Sequence, residues 1–197
     1  YGAQAGQSAG VPALWHCRAL VALGPLGGYV SRRAERVIAI SETVQASLAR
    51  FAGALHKTVC IHNGIDCALF NQNTGGPGIR KELGLHPDQI IIGMIAQMVP
   101  WKNHRLFLEA ARKIADEFPE TIFLLVGDDL YGDHPGYRRS LEQQALESGL
   151  TKRVIFTGFR NDMPSVLNAL DLVVHPAARE PFGRGVAEAM AAGKPVI

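Results

Sequence analysis

From position 89 onward, apolar stretches of two different periods take turns along the chain. Short runs of strand length cover 90–98, 121–127, 153–158 and 171–175. Between and after them, at 103–118, 136–148, 162–169 and 185–192, apolar residues recur every three or four positions, as on one face of a helix. In 103–118 that face is Phe107, Ala110, Ala111, Ile114 and Phe118, the pattern of a helix packed on a sheet. The first sixty residues repeat the theme: a strand within 11–17 ending at His16, a helix over 23–35, a strand over 36–40 and another over 57–61. A further helix, capped by Ser41, carries Val44, Leu48, Phe51 and Ala52 at i, i+4, i+7 and i+8 spacing. Between the halves, Asn63-Gly64 permits positive φ, and Asn71, Asn73, Gly75, Gly76, Pro77 and Gly78 crowd a loop over 65–78. Strand and helix alternating in this way predict an α/β chain of two Rossmann-like domains with parallel sheets and ligands at the strands' carboxyl ends. The predicted boundaries are 1–66 for the first domain, 67–88 for a linker and 89–197 for the second.

Composition narrows the class. With 197 residues and 47% hydrophobic content the chain buries a real core. A net charge of +2 argues against a dedicated nucleic-acid binder, and no window is long and apolar enough to span a bilayer. Residues 1–62 hold six Lys/Arg against two Asp/Glu, whereas 63–197 hold fourteen against sixteen. The basic cluster Arg32, Arg33 and Arg36 reads either as a solvated helix face or as a contact with acidic lipid. Cys17, Cys60 and Cys67 form no Cys-x-x-Cys pair and leave an odd one over, so the expectation is free thiols in a reducing compartment. Cys60, His62 and Cys67 lie close together but lack a second ligand pair, and no metal is expected. The chain opens on Tyr1 and stops at Pro195-Val196-Ile197, where a strand should start, so it reads as an internal fragment.

The chemistry concentrates at 171–195. The turn from the strand 171–175 to the helix 185–192 contains Pro181, which suits a helix's first turn, and Gly183 and Gly185, which let a ligand approach the backbone. Unpaired N–H groups and the positive end of a helix dipole make a natural seat for a diphosphate. Glu180 and Glu188 flank it. If most of the interval is helical, eight residues at about 1.5 Å each put the carboxylates up to roughly 12 Å apart. A glycosidase pair sits within about 10 Å, so the spacing suits two grips on one long ligand, such as the sugar and ribose of a nucleotide sugar. Lys102, just past a strand's carboxyl end, is placed as a phosphate-binding cation. Asp162 reads as a helix N-cap, and Gly127-Asp128-Asp129 as an exposed loop.

The stretch from Glu180 through Pro181-Phe182-Gly183 to Glu188 resembles the Glu-seven residues-Glu signature of the family-4 retaining glycosyltransferases of the GT-B fold. The resemblance implies that Glu180 holds hydroxyls of the donor sugar, that amides around Phe182, Gly183 and Arg184 meet sugar and phosphate, and that Glu188 binds ribose. The run from Gly93 to Lys102 is similar to the family segment whose Lys grips the donor diphosphate; Gln97 stands where the family usually has Arg, which removes a charge. Gly158-Phe159-Arg160 resembles the segment against the base, so Arg160 is a candidate to stack on it or hydrogen-bond it. His62-Asn63-Gly64-Ile65-Asp66 resembles the passage that leaves the first domain. His16 resembles the strand-ending His that faces the donor sugar across the family's interdomain cleft; a lone His packed at a strand end accounts for it equally well.

The expected function is transfer of a sugar from a nucleotide-diphosphate sugar to an acceptor hydroxyl with retained configuration, without metal or other cofactor. The expected partners are the donor, a saccharide or lipid-linked acceptor and a membrane surface met peripherally; the resemblance implies a cytoplasmic protein, at most peripheral at the inner face. An NAD oxidoreductase fits poorly, because Gly183-Arg184-Gly185 would need its third glycine where Glu188 stands. A nucleotide-sugar epimerase of the same architecture, and an inactive nucleotide-binding half-module, are the alternatives.

Overall fold

The computed structural model describes residues 2–20, 25–51, 53–70 and 75–197. They form two compact units, one of residues 1–64 with Arg179–Gly183, the other of Ile65–Ala178 with Arg184–Ile197.

In the first unit, β1 (Leu14–Cys17), β2 (Arg36–Ala39) and β3 (Thr58–Cys60) make a parallel sheet in that order. Its helices are α1 (Gly2–Ser8), α2 (Pro25–Arg33) and α3 (Glu42–Leu48). Positions 23 and 24 of the expected helix, and Ala52, lie outside the described residues. Val44 and Leu48, one helical turn apart, are fully buried with Val37, Ala39 and Phe51. Ser41 caps α3 as predicted, its Oγ accepting the Val44 N–H at 3.1 Å. α1, with no buried residue, has no apolar period to announce it.

In the second unit, β4 (Ile91–Ile95), β5 (Ile122–Val126), β6 (Val154–Gly158) and β7 (Leu172–Val173) form a parallel sheet in the order β6-β5-β4-β7. Val196 adds a parallel bridge to Val173. Alternate residues face opposite sides of the pleat. Ile92, Met94, Phe123 and Leu125 join a core with Phe107 and Leu108 of α5 (His104–Glu117) and Leu141 of α6 (Tyr137–Glu147). Ile91, Leu124 and Val126 join another with Ile79 of α4 (Gly76–Glu82), Val166 and Leu167 of α7 (Met163–Ala169) and Ala189 of α8 (Arg184–Ala191). A parallel sheet buried on both faces explains why its strands read as unbroken apolar runs. Gly93 is what lets the second layer close: a Cβ there would meet Leu170 Cδ1 at 2.3 Å.

Two expectations are corrected here. The loop expected over 65–78 gives way to α4 from Gly76; Asn71 and Asn73 lie outside the described residues. α4 is held by Ile79 in the core and by Arg80. The Arg80 guanidinium donates to the carbonyls of Ala169, Pro87 and Gln89 at 2.8–3.0 Å and to Asp171 at 2.8 Å. Asp171 also accepts the Ile91 N–H at 2.7 Å, which fastens the amino ends of β4 and β7. Second, α8 begins at Arg184, so Pro181 stands before the helix rather than in its first turn, and residues 180–183 of the interval from Glu180 to Glu188 are not helical. The roughly 12 Å separation estimated from helical rise does not apply.

Candidate functional site

The carboxyl ends of β4, β5 and β6 open onto a cleft of about 190 Å³ lined by Gln97, Gly127, Asp128, Phe159, Arg160 and Met163, among others. Hydrogen bonds continue the sheet into its rim: Ala96 N–H to Val126 O at 3.0 Å, Gly127 N–H to Gly158 O at 2.9 Å, and Met98 N–H to Asp128 O at 3.0 Å. Gly127 has φ 137°, and a Cβ on it would lie 2.0 Å from Ala96 O, so the rim closes only around glycine.

Arg160 is half-buried at this rim and heavily engaged. Its guanidinium donates to both Asp162 oxygens at 2.7 and 2.9 Å and to both Glu82 oxygens at 2.6 and 3.0 Å. These hydrogen bonds hold the Glu82 and Asp162 carboxyls below their usual range and push the Arg160 guanidinium up. Asp162 occupies the cap position of α7 but caps nothing with its side chain; the salt bridge to Arg160 takes its carboxylate instead. The acids at 128–129 are likewise structured. Asp128 pairs with Arg138 at 3.2 Å, and Asp129 accepts the N–H groups of Asp133 and His134. Among the described residues no group of three or more His, Cys, Asp or Glu is arranged to hold a metal.

Past β4 the chain makes a 3₁₀ turn, Pro100–Lys102, and enters α5 through Asn103. Lys102 Nζ lies 4.5 Å from the centroid of the Trp101 ring, close enough for a cation–π contact. Behind the turn, His104 is buried and stands edge-on to Tyr137, ring centroids 5.8 Å apart. Burial holds its imidazole down to about 4; the carbonyls of Ala96 and Val99 pull the other way, and the Lys102 charge adds to the depression. The ring is therefore neutral at ordinary pH. Its role here is to fill the space behind the Lys102 turn.

α8 presents its first turn at the end of β4, where a Cβ on Gly185 would lie 3.5 Å from Ile95 O. Glu188 sits one turn in, its side chain only 12% exposed, and accepts from Arg184 Nε at 3.0 Å. A shielded carboxylate at that position is not an idle surface charge. The second unit thus brings Gln97, Lys102, Arg160, Arg184 and Glu188 to the carboxyl-end side of its sheet.

The remaining candidates belong to the first unit. Glu180 accepts the Gly183 N–H at 3.0 Å, and the Ser41 hydroxyl donates to Pro181 O. Phe182 packs on that unit's core, its ring 6.1 Å from that of His62. Gly183 takes φ 82°. His16 is an interior residue of β1, which runs on to Cys17, and its side chain is exposed. The reading of it as a packed strand-end histidine is therefore set aside.

Two units, each built on a parallel sheet with helices, match the α/β architecture of GT-B glycosyltransferases. The solved structures agree. Over 99% of this chain and 54% of the other, the structure superposes on Anabaena HepE in complex with UDP and glucose with a TM-score of 0.87 at 33% identity. Over 98% and 52% it superposes on a sucrose-phosphate synthase from Thermosynechococcus elongatus with a TM-score of 0.80 at 26% identity. The family described as "Glycosyl transferases group 1" matches residues 77–197, and the chain belongs to it. Curated relatives include the 2-deoxystreptamine glucosyltransferase of Streptomyces kanamyceticus, 30% identical over 84% of this chain and 42% of that protein. Another is the lipopolysaccharide core biosynthesis mannosyltransferase LpsB of Rhizobium meliloti (strain 1021), 30% identical over 86% and 46%. The chain spans less than half the length of these two relatives. Among the described residues no helix is long and apolar enough to cross a membrane.

Proposed function

We propose that the protein moves a sugar from a nucleotide-diphosphate sugar to an acceptor hydroxyl with retention of configuration, as a family-4 enzyme. The observation that carries this reading is the gathering of Gln97, Lys102, Arg184 and the shielded Glu188 at the carboxyl ends of one parallel sheet. It is strengthened by the likeness to a structure solved with UDP and glucose. Lys102 and the first-turn amides of α8 stabilise charge on the departing diphosphate, where fixed dipoles count most. Glu188 takes the ribose, and the cleft beside Arg160 and Phe159 takes the base. Gln97 donates hydrogen bonds to the diphosphate without adding charge. Phe182 and Gly183 meet the sugar, Glu180 orients it, and His16 completes the sugar's environment. The bond from the anomeric carbon to the phosphate oxygen breaks, the bond to the acceptor oxygen forms on the same face, and the acceptor's proton leaves with the diphosphate. No metal or cofactor enters this scheme.

The relatives' names mention acceptors from 2-deoxystreptamine to N-acetylglucosamine on diphosphoundecaprenol. A saccharide or lipid-linked acceptor, reached by a cytoplasmic protein resting peripherally on the membrane, is the reading we favour. The test is a thermal-shift panel of UDP-, GDP- and ADP-sugars with NAD as control, on the full-length protein and its Glu188→Ala variant. A ligand at about 100 times its dissociation constant stabilises the folded state by roughly 2.7 kcal/mol. Stabilisation by one nucleotide class, weakened in Glu188→Ala, is the expected result, with UDP-sugars first in line. No response to any nucleotide sugar refutes the reading. A Glu180→Ala protein with full turnover and donor affinity refutes the role given to Glu180.

A further inference from the structure

Asn103 has φ 61° and ψ 39°, the one non-glycine residue with positive φ among those described. The left-handed region strains most L-residues, whereas glycine enters it freely. What Asn supplies in return is its side chain, whose Nδ2 donates to Pro176 O at 2.8 Å. Two positions earlier, Trp101 O accepts the Ala178 N–H at 3.1 Å. Lys102 lies between these anchors, with its ammonium over the Trp101 ring. Two hydrogen bonds therefore join the Lys102 turn to the segment that follows β7, and both belong to the second unit.

We propose that Asn103 is a positioning residue of the donor site, whose left-handed turn and side-chain tether to Pro176 fix where the Lys102 ammonium stands. The inference rests on the donor-binding role proposed for Lys102. It explains why an amide occupies a backbone position that glycine fits with less strain. A plain helix cap would leave the residue's influence in stability alone; a tether acting through Lys102 places it in donor affinity.

The experiment compares Asn103→Asp and Asn103→Gly in the full-length protein. Asp tolerates positive φ but cannot donate to a carbonyl; Gly keeps the turn, relieves the backbone and loses the tether. Each is made with Lys102 present and in the Lys102→Ala background, and donor KM, acceptor KM and kcat are measured. With Lys102 present, Asn103→Gly is expected to raise donor KM about fivefold to tenfold, the effect of one lost hydrogen bond, and Asn103→Asp to raise it further because its carboxylate also adds a negative charge; acceptor KM stays unchanged in both. In the Lys102→Ala background Asn103→Gly is expected to change donor KM by less than about twofold, since residues that act as a unit are not additive. Unchanged donor KM in Asn103→Gly, or an equal Asn103→Gly increase in the two backgrounds, overturns the inference and leaves the functional reading standing. A wild-type protein that binds no nucleotide sugar overturns both.

Discussion

His104 makes the second unit sensitive to mild acid, and the size of the effect follows from its surroundings. The imidazole is 1% exposed, and burial brings its pKa from an ordinary 6.5 to about 4. In the unfolded chain it titrates near 6.5. Between those values the unfolded state takes up a proton that the folded state refuses, so stability falls as pH falls from about 6.5 and levels off below about 4. Each pH unit inside that window removes about 1.4 kcal/mol, so the whole window is worth about 3 kcal/mol and the step from pH 6.5 to pH 5 about 2. Glu82 and Asp162 also have depressed values, but their contribution is present above the ordinary carboxylate range and is lost only below it. The step from pH 6.5 to pH 5 thus isolates the histidine.

Urea unfolding followed by Trp101 fluorescence, in a Trp15→Phe background so that only the second unit reports, measures this directly. Wild-type protein is expected to lose about 2 kcal/mol between the two pH values. His104→Gln, which cannot titrate there, is expected to start from a lower stability and to show no such loss. If His104→Gln falls as steeply as wild type, or if the wild-type stability is flat across the step, the buried neutral imidazole is not what couples this unit to pH.

Gly93→Ala places a methyl group against Leu170, 2.3 Å from Cδ1 and 2.8 Å from Cδ2, in a fully buried layer. Overpacking of that kind costs about 1–3 kcal/mol, toward the lower end where a leucine tip can turn aside, and an unchanged melting temperature refutes it. Arg80→Met keeps the apolar stem but removes four donated hydrogen bonds, among them the ion pair with Asp171, which keeps the Ile91 N–H. Loss of about 2 kcal/mol from the second unit, with nucleotide-sugar affinity unchanged, is the expected outcome in urea titration and calorimetry. A weakened affinity instead would show that the amino-end clasp reaches the site.

The alternation of strand and helix from residue 89 onward was readable because a doubly covered parallel sheet writes itself as apolar runs separated by helical periods. α4 was not readable. Gly76-Pro77-Gly78 has poor helix propensity, and the helix forms because Ile79 enters the core and Arg80 finds four acceptors. Tight packing also asks for the glycine that reads as a loop signal: a Cβ on Gly76 would meet the Asn168 backbone at 2.7 Å. At the candidate site, residue types and loop positions were visible and their partners were not. Asp162 looked like a cap because Asp before an apolar period usually is one. Its actual partner, Arg160, also grips Glu82, a residue 78 positions away in sequence, which no local pattern carries. Asn103 was read only as the start of a helix, and neither its positive φ nor its acceptor on residue 176 is carried by a local pattern.

Those long-range partners divide the second unit's polar work by sheet end. At the amino ends, Arg80 and Asp171 hold backbone carbonyls and an N–H of their own chain, using up the charge on structure. At the carboxyl ends the charged groups either brace a rim, as Arg160 does with Glu82 and Asp162, or stand beside a turn held by backbone geometry and a neutral amide, as Lys102 does beside Asn103. A carboxylate beside a ligand-binding cation competes with an anionic ligand for it, whereas a neutral amide fixes the turn without adding a competing charge. That difference accounts for Asn rather than Asp at position 103. A carboxylate there would adopt the same turn, but would place a negative charge one residue from the ammonium that the donor diphosphate needs.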